Sequence, residues 1–186
     1  MQKLFTFFVF ISIISFGQKV QINSKVTMND GRMIETKIPF RVSMIDSTLV
    51  NILSIVEKKV VLLENGKKIK YPASEIKKIE FTDLKNKSRI FVHIPDYQKT
   101  LVEQLYDGKI SWYRGYYTHG FDGSVQQSDI LYKNDIKQVL SIFVNNRKKL
   151  KELMADKPEL ESLIENINYN RLKEQDLIDL LKKYDE

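Results

Sequence analysis

The sequence contains no cysteine among its 186 residues. Disulfide bonds, thiolate metal ligands and cysteine nucleophiles are therefore excluded, and the fold must be stabilised by its core alone. Lipid attachment through a lipobox cysteine, the usual bacterial route, is excluded for the same reason.

Residues that build common catalytic sites are also scarce. The two histidines, His93 and His119, stand 26 positions apart without a His-x-x-x-His pattern, so no metal site is predicted. The sequence has neither a Gly-x-Ser-x-Gly elbow nor a glycine-rich phosphate loop. We therefore expect a protein that is not an enzyme and that needs no cofactor.

Paired carboxylates are the remaining route to catalysis, because two acids at a suitable separation can hydrolyse a glycosidic bond. Glu103 and Asp107 lie at the chain's aromatic segment, and Asp122 and Asp129 follow it. Their spacing does not show that any two of them converge. A hydrolase is therefore kept only as a third alternative.

Long apolar runs are missing except at the start of the chain, MQKLFTFFVFISIISFGQ. Lys3 precedes a largely apolar run from Leu4 to Ile14, and the small residues Ser15 and Gly17 follow. This layout predicts a secretory signal peptide over residues 1–18. The run is shorter than the roughly 20 residues of a membrane-spanning helix, and the alternative is an uncleaved N-terminal anchor. We expect an exported protein, soluble in the periplasm or outside the cell, with no transmembrane span.

Charge is unevenly distributed along the chain, whose formal net charge is +6. Residues 57–89 contain ten lysines and arginines against five acids. Such a segment can face an anionic polymer or an envelope protein, whereas nucleic acid is not an expected partner of an exported protein. The alternative interpretation is a solvated sheet face whose lysines guard the sheet edges.

Short apolar stretches separated by turn residues predict a β-rich domain over residues 19–132. Asn29-Asp30-Gly31 and Asn65-Gly66 contain pairs that accept positive backbone angles in tight hairpins. Over residues 133–186, apolar residues recur at spacings of three and four and predict about three short helices. The predicted fold class is α+β, with an antiparallel β-sheet or small barrel followed by a helical segment packed on or beside it.

The segment YDGKISWYRGYYTHG holds the only tryptophan of the chain. Asp107-Gly108 separates two strand-like runs and predicts a two-residue hairpin turn. With a period of two, Trp112 lies on one face of the second strand while Tyr113 and Tyr117 lie on the other. We expect Trp112 in the core, which leaves Tyr113, Tyr117 and Lys109 as candidate ligand-binding residues. The alternative is a hairpin whose aromatic pairs only stabilise the sheet.

Four motifs follow one another along the chain: KYPASEIKKIEF, LVEQLYDGKISWYR, PELESLIENINY and DLIDLLKKYDE. This order resembles an uncharacterised family of secreted β-rich proteins of Bacteroidota with C-terminal helices. The resemblance covers most of the chain from about Ile69 onward. It implies export and this architecture, and it implies no activity, cofactor or site residue.

These features predict an exported, non-enzymatic binding or structural protein of the bacterial envelope. The alternative is an assembly or interaction protein that docks a partner through a sheet edge or through its amphipathic helices. A binding protein would present exposed aromatic or charged side chains, whereas an assembly protein would present a flat apolar patch.

Export has a direct test. Because a charged start, an apolar run and small residues precede Gln18, mass spectrometry of the protein from its native cells should find a mature N-terminus near Gln18 or Lys19. Recovery of intact Met1 from a soluble cytoplasmic fraction would contradict the prediction.

Overall fold

The computed structural model describes residues 19–43, 46–97, 99–121, 124–141, 145–169 and 173–186. Within these ranges the chain forms ten β-strands and four α-helices, and the strand pairs are antiparallel. The predicted α+β class with an antiparallel sheet is confirmed. The predicted signal peptide and Asp122 lie outside the described residues.

The chain divides into two compact units. Of the described residues, those in 19–89 and 99–100 belong to unit 1, and those in 90–97 and 101–186 belong to unit 2. Strand β6 contains the boundary, because its first two residues belong to unit 1 and the rest to unit 2.

Unit 1 is built from five antiparallel strands and one helical turn. Its elements are β1 Lys19–Met28, β2 Met33–Arg41, α1 Leu53–Val56, β3 Lys59–Glu64, β4 Lys67–Pro72 and β5 Ile76–Thr82. A single 3-10 turn, Ala73–Glu75, leads into β5. The strand order is β5-β1-β2-β3-β4, so β4 is an edge strand.

The predicted turn chemistry of unit 1 is confirmed. Asn65 and Gly66 join β3 to β4 with φ angles of 51° and 76°, the left-handed pair that a two-residue hairpin requires. Gly31 joins β1 to β2 with a φ angle of 88°. These positions accept asparagine or glycine because other side chains are strained there.

Alternation along the strands separates the two faces of unit 1. One face is apolar and buried, and Phe40 and Phe81 pack there with ring centroids 5.1 Å apart. Its remaining buried strand residues include Ile22, Val26, Met28, Ile38, Val60, Leu62, Ile76 and Ile79. Burial of this apolar area is the main source of stability in unit 1 and fixes the strand register, because a slip of one residue would expose every one of these side chains.

Unit 2 combines a meander of strands with three helices. Its elements are β6 Ser88–Val92, β7 Val102–Tyr106, β8 Ser111–Thr118, β9 Val125–Lys133, β10 Ile136–Leu140, α2 Asn146–Leu153, α3 Glu161–Asn166 and α4 Glu174–Asp185. A 3-10 turn, Pro95–Tyr97, separates β6 from β7. The strand order is β10-β9-β8-β7-β6. Helices were expected from residue 133, whereas β10 occupies the first part of that segment and α2 begins at Asn146.

The three helices of unit 2 pack their apolar sides against one sheet face. Trp112 of β8 and Leu131 of β9 are fully buried in this cluster, together with Leu150 of α2, Ile164 of α3 and Leu181 of α4. The expectation that Trp112 is a core residue is confirmed.

The prediction of a two-residue turn at Asp107-Gly108 is wrong. Residues 107–110 connect β7 to β8, and the pairing register shifts between Gln104 and Tyr106. Gly108 has no positive φ angle, so glycine is not required there by the backbone conformation. It is required by the space that a side chain would occupy. A Cβ atom there would lie 2.0 Å from Asp185 Oδ2, so glycine is needed for the close approach of α4.

Arg114 of β8 ties strand and helix together beside Trp112. Its guanidinium donates two hydrogen bonds to Asp129 of β9, at 2.6 and 3.0 Å, and a third to Glu174 in the first turn of α4. The guanidinium carbon lies 5.5 Å from the centre of the Trp112 ring. Burial alone would lower the pKa of Arg114, but the two carboxylates raise it above its ordinary value, so the group stays charged.

Trp112 gives a test of this core. Because the side chain is fully buried, Trp112→Ala should lower the free energy of unfolding by roughly 3–5 kcal/mol through lost burial and a residual cavity. Chemical denaturation measures the change. Tyr117→Ala on the same strand is the control, since Tyr117 is 53% exposed and surface substitutions usually stay within about 0.5 kcal/mol. Equal losses in the two variants would contradict the assignment.

Candidate functional site

Tyr113 and Tyr117, two of the residues predicted to bind a ligand, share the face of β8 opposite Trp112. Tyr113 is half-buried and meets Tyr132 of β9 edge to face, with ring centroids 5.8 Å apart. Tyr117 is 53% exposed. The two tyrosines stand four residues apart, about 13 Å along a strand, so they are not immediate neighbours.

Polar partners already engage the tyrosines around Tyr113. Tyr132 donates a 2.5 Å hydrogen bond to Asp96, and Lys137 donates one of 2.8 Å to the same carboxylate. Lys137 and then Tyr132 lower the pKa of Asp96. Tyr97 lies close to Gly115, where a Cβ atom would come within 3.3 Å of the Tyr97 hydroxyl and 3.4 Å of its ring. Tyr97, Tyr113 and Tyr132 therefore form an aromatic layer whose contacts lie within unit 2, and these contacts need no ligand to explain them.

Lys109, the third predicted ligand-binding residue, lies in the connection between β7 and β8 and is held by α4. Its ammonium group donates a 2.7 Å hydrogen bond to the backbone carbonyl of Asp185, and its backbone N–H donates one of 3.0 Å to the Asp185 carboxylate. Tyr106 donates a hydrogen bond of 2.6 Å to the same carboxylate. The structure therefore brings Lys109 to α4 rather than to Tyr117, and ligand contact by these three residues stays a prediction.

A stronger candidate site lies on the exposed face of unit 1. Residues directly opposite each other in antiparallel strands share a face, and residues two apart on a strand do so as well. Lys19 stands opposite Arg41, and Lys78 lies opposite Thr27. Eight cations share this surface, which we call the basic face: Lys19, Lys25, Lys37, Arg41, Lys59, Lys68, Lys70 and Lys78.

Few acids balance the basic face. All eight cations are exposed except the half-buried Lys78. Two acids share the register positions of this face, Glu35 and Glu80, and both stand opposite Lys25. Lys78 forms an ion pair of 3.1 Å with Glu80. The potential of the basic face is therefore positive, and most of its ammonium groups meet solvent.

Beside a depression of about 540 Å³ that is lined by Lys58, Lys59 and Lys70, two depressions in the described part of the basic face lie among cations from at least three strands. The larger has a volume of about 990 Å³ and is lined by Lys25, Lys37 and Lys68 together with Glu35 and Glu80. The smaller has a volume of about 340 Å³ and is lined by four cations and one acid. Its charged residues are Lys19, Arg41, Lys59, Lys68 and Glu57.

Sequence reasoning did not find the basic face. It found the excess of lysine in residues 57–89 but not that β1 and β2 add Lys19, Lys25, Lys37 and Arg41 to the same surface. The available signal was the alternation of these residues with the buried Ile22, Val26, Ile38 and Phe40. Strand pairing was needed to place both sets on one face.

The edge strands carry features that discourage pairing with another chain. Lys68 and Lys70 lie on the edge strand β4, and Pro72, which has no N–H to donate, ends it. At the edge strand β10, Lys149 donates a hydrogen bond of 2.5 Å to the carbonyl of Val139. The lysines of β4 fit the predicted role of edge protection as well as that of anion binding.

Two of the four acids considered for hydrolysis, Glu103 and Asp129, are bound by side chains of β8. Glu103 is 1% exposed and accepts a hydrogen bond from Tyr116, while Asp129 is bound by Arg114. Asp107 is exposed in the connection between β7 and β8. Among the described residues no three histidine, cysteine or acidic side chains are grouped as metal ligands would be.

None of the helices in the described ranges combines the length and the hydrophobicity needed to cross a lipid bilayer. Comparisons with protein-family models, with curated proteins and with solved structures found no match. The functional interpretation therefore depends on the chemistry of the described surfaces.

The close approach of α4 at Gly108 can be tested. Gly108→Ala would place its Cβ 2.0 Å from Asp185 Oδ2 and 2.6 Å from the Tyr106 ring, so Asp185 must leave its hydrogen bonds. We expect a loss of roughly 1–3 kcal/mol in the free energy of unfolding. Gly120→Ala is the control, because no atom lies within 4 Å of its Cβ position. If both variants unfold at the same denaturant concentration, the contact does not stabilise the protein.

Proposed function

We propose that the protein is an exported, non-enzymatic binding protein of the bacterial envelope whose basic face meets an anionic polymer. The observation that carries the proposal is the segregation of charge in unit 1. Eight cations and two acids share the register of one sheet face, while the opposite face is apolar and buried. A surface whose charge is mostly positive attracts a polyanion and speeds its association.

The shape of the basic face also supports a polymer ligand. Both depressions are open and lie among cations contributed by several strands. A chain with repeated negative charges can contact several of these cations at once, and each contact adds to the affinity because the contacts are linked. A small ligand with one charge would use only a fraction of the surface.

The alternative, an assembly protein that docks through a sheet edge or through its helices, has less support. Lysine and proline at β4 and the Lys149 side chain at β10 oppose edge pairing. The apolar sides of α2, α3 and α4 are already buried in the core of unit 2. The described helices therefore contribute their apolar residues mainly to the protein's own stability.

Two variants of equal charge test the proposal. In the face variant, glutamine replaces Lys25, Lys37, Arg41 and Lys68. In the control variant, it replaces Lys77, Lys99, Lys182 and Lys183, which are exposed positions outside the basic face. Affinity for fluorescein-labelled dextran sulfate is measured by anisotropy at several salt concentrations. The face variant should bind about tenfold more weakly or worse, since exposed charge pairs contribute ~0.5 kcal/mol each and about 1.4 kcal/mol is tenfold.

The change of affinity with salt concentration is a second measurement from the same experiment. Wild-type affinity should fall as salt rises, because salt screens exposed charges, and the fall should be smaller in the face variant. The control variant should keep both the affinity and the salt dependence of the wild type to within about threefold. Equal weakening in the two variants would mean that net charge alone governs binding, and the proposal would then fail.

A further inference from the structure

We infer that the smaller depression of the basic face is a binding site for a phosphoryl group of the anionic polymer. The inference rests on the proposed function and names the chemistry that this surface selects. We call the depression the phosphoryl site; its charged lining consists of Lys19, Arg41, Lys59, Lys68 and Glu57.

The cations of the phosphoryl site come from four different strands. Lys19 of β1 stands opposite Arg41 of β2, while Lys59 belongs to β3 and Lys68 to β4. They surround a volume of about 340 Å³, whose lining also includes Ile38 and Phe40. The pairing of β1 with β2 and of β3 with β4, joined where Lys37 stands opposite Leu63, places these four backbones around the depression.

One wall of the phosphoryl site is formed by residues 51–54, at the beginning of α1. Asn51 donates a backbone hydrogen bond of 2.8 Å to the carbonyl of Arg41, which holds this segment beside β2. The Asn51 side chain accepts a bond of 3.0 Å from the N–H of Leu53, and Ser54 donates one of 2.9 Å to the carbonyl of Asn51. Asn51 and Ser54 both line the depression. This wall bounds the depression on one side, so the site has a defined shape in addition to its positive charge.

The charge of the site favours a phosphoryl group over a carboxylate. Four cations face one acid, Glu57, so the lining carries a formal excess of three positive charges. A carboxylate supplies one negative charge, whereas a phosphate monoester supplies about −1.5 to −2 and three acceptor oxygens. The guanidinium fork of Arg41 can donate two parallel hydrogen bonds to a phosphate, which a lysine cannot do.

The larger depression lacks this selectivity. Lys25, Lys37 and Lys68 share it with Glu35 and Glu80, and the two acids oppose an added anion. Lys25 stands directly opposite both of them. We expect this part of the basic face to attract any polyanion weakly through its summed potential.

A comparison of two polymers tests the phosphoryl site. Dextran phosphate supplies phosphate monoesters and carboxymethyl dextran supplies carboxylates on the same backbone, and the dissociation constant of each is measured with the purified protein at fixed salt. The wild type should bind dextran phosphate about tenfold more tightly than carboxymethyl dextran of the same degree of substitution. A variant with Arg41→Gln and Lys59→Gln should lose this preference.

The control has the same charge change on the same face. Lys25→Gln with Lys37→Gln alters only the larger depression, so both polymers should bind more weakly while the preference for dextran phosphate persists. Equal affinity of the wild type for the two polymers, or equal loss of preference in the two variants, would overturn the phosphoryl site and leave the proposed function standing. Absence of binding to either polymer would overturn both.

Inorganic phosphate separates a polymer ligand from a free one. A polymer gains affinity from its contacts along the basic face, so inorganic phosphate should displace labelled dextran phosphate only at concentrations far above those of the polymer's own phosphate groups. Displacement at equal phosphate concentrations would assign the site to a free phosphate ion and would contradict the assignment to a polymer.

Discussion

The unit 2 fold depends on one charged group that has been taken largely out of water. Arg114 is 13% exposed as a side chain, yet it donates from Nε and Nη2 to Asp129 and from Nη1 to Glu174 at the beginning of α4. Removing a cation from water is costly unless its donors are satisfied, and these carboxylates satisfy them. The bond to Glu174 places one end of α4, and the bonds to Asp185 place the other, so the apolar side of the helix must cover Trp112.

The two units use the faces of a sheet in different ways. In unit 2, helices cover one face of the sheet. On the other face, Tyr113 and Tyr132 contact each other, and Tyr132 donates a hydrogen bond to Asp96. In unit 1, the face opposite the core carries neither an aromatic layer nor a balanced set of ion pairs among the described residues. Its cations repel one another, and an anionic ligand would relieve that repulsion. The basic face of unit 1 is therefore the proposed binding surface, although the aromatic segment of unit 2 is more conspicuous in the sequence.

Local sequence signals predicted some features well and others poorly. Trp112 could be assigned to the core because alternate residues of a strand face opposite sides, and Asn65-Gly66 could be assigned to a turn because that pair accepts left-handed backbone. Asp107-Gly108 carries a similar signal, but the glycine makes room for Asp185, which lies more than seventy positions away. The basic face was missed for a related reason, since its cations belong to five strands whose register is set by the buried face.

The bond between Tyr106 and Asp185 joins residues 79 positions apart. Contacts of such long sequence separation form late, because the chain between them must be ordered before they contribute. The α4 residues Leu177, Leu180 and Leu181 share the buried cluster of Trp112, so this cluster is complete only after α4 has been synthesised and packed. Under the proposed export, this order would keep the core of unit 2 from closing before α4 has crossed the membrane.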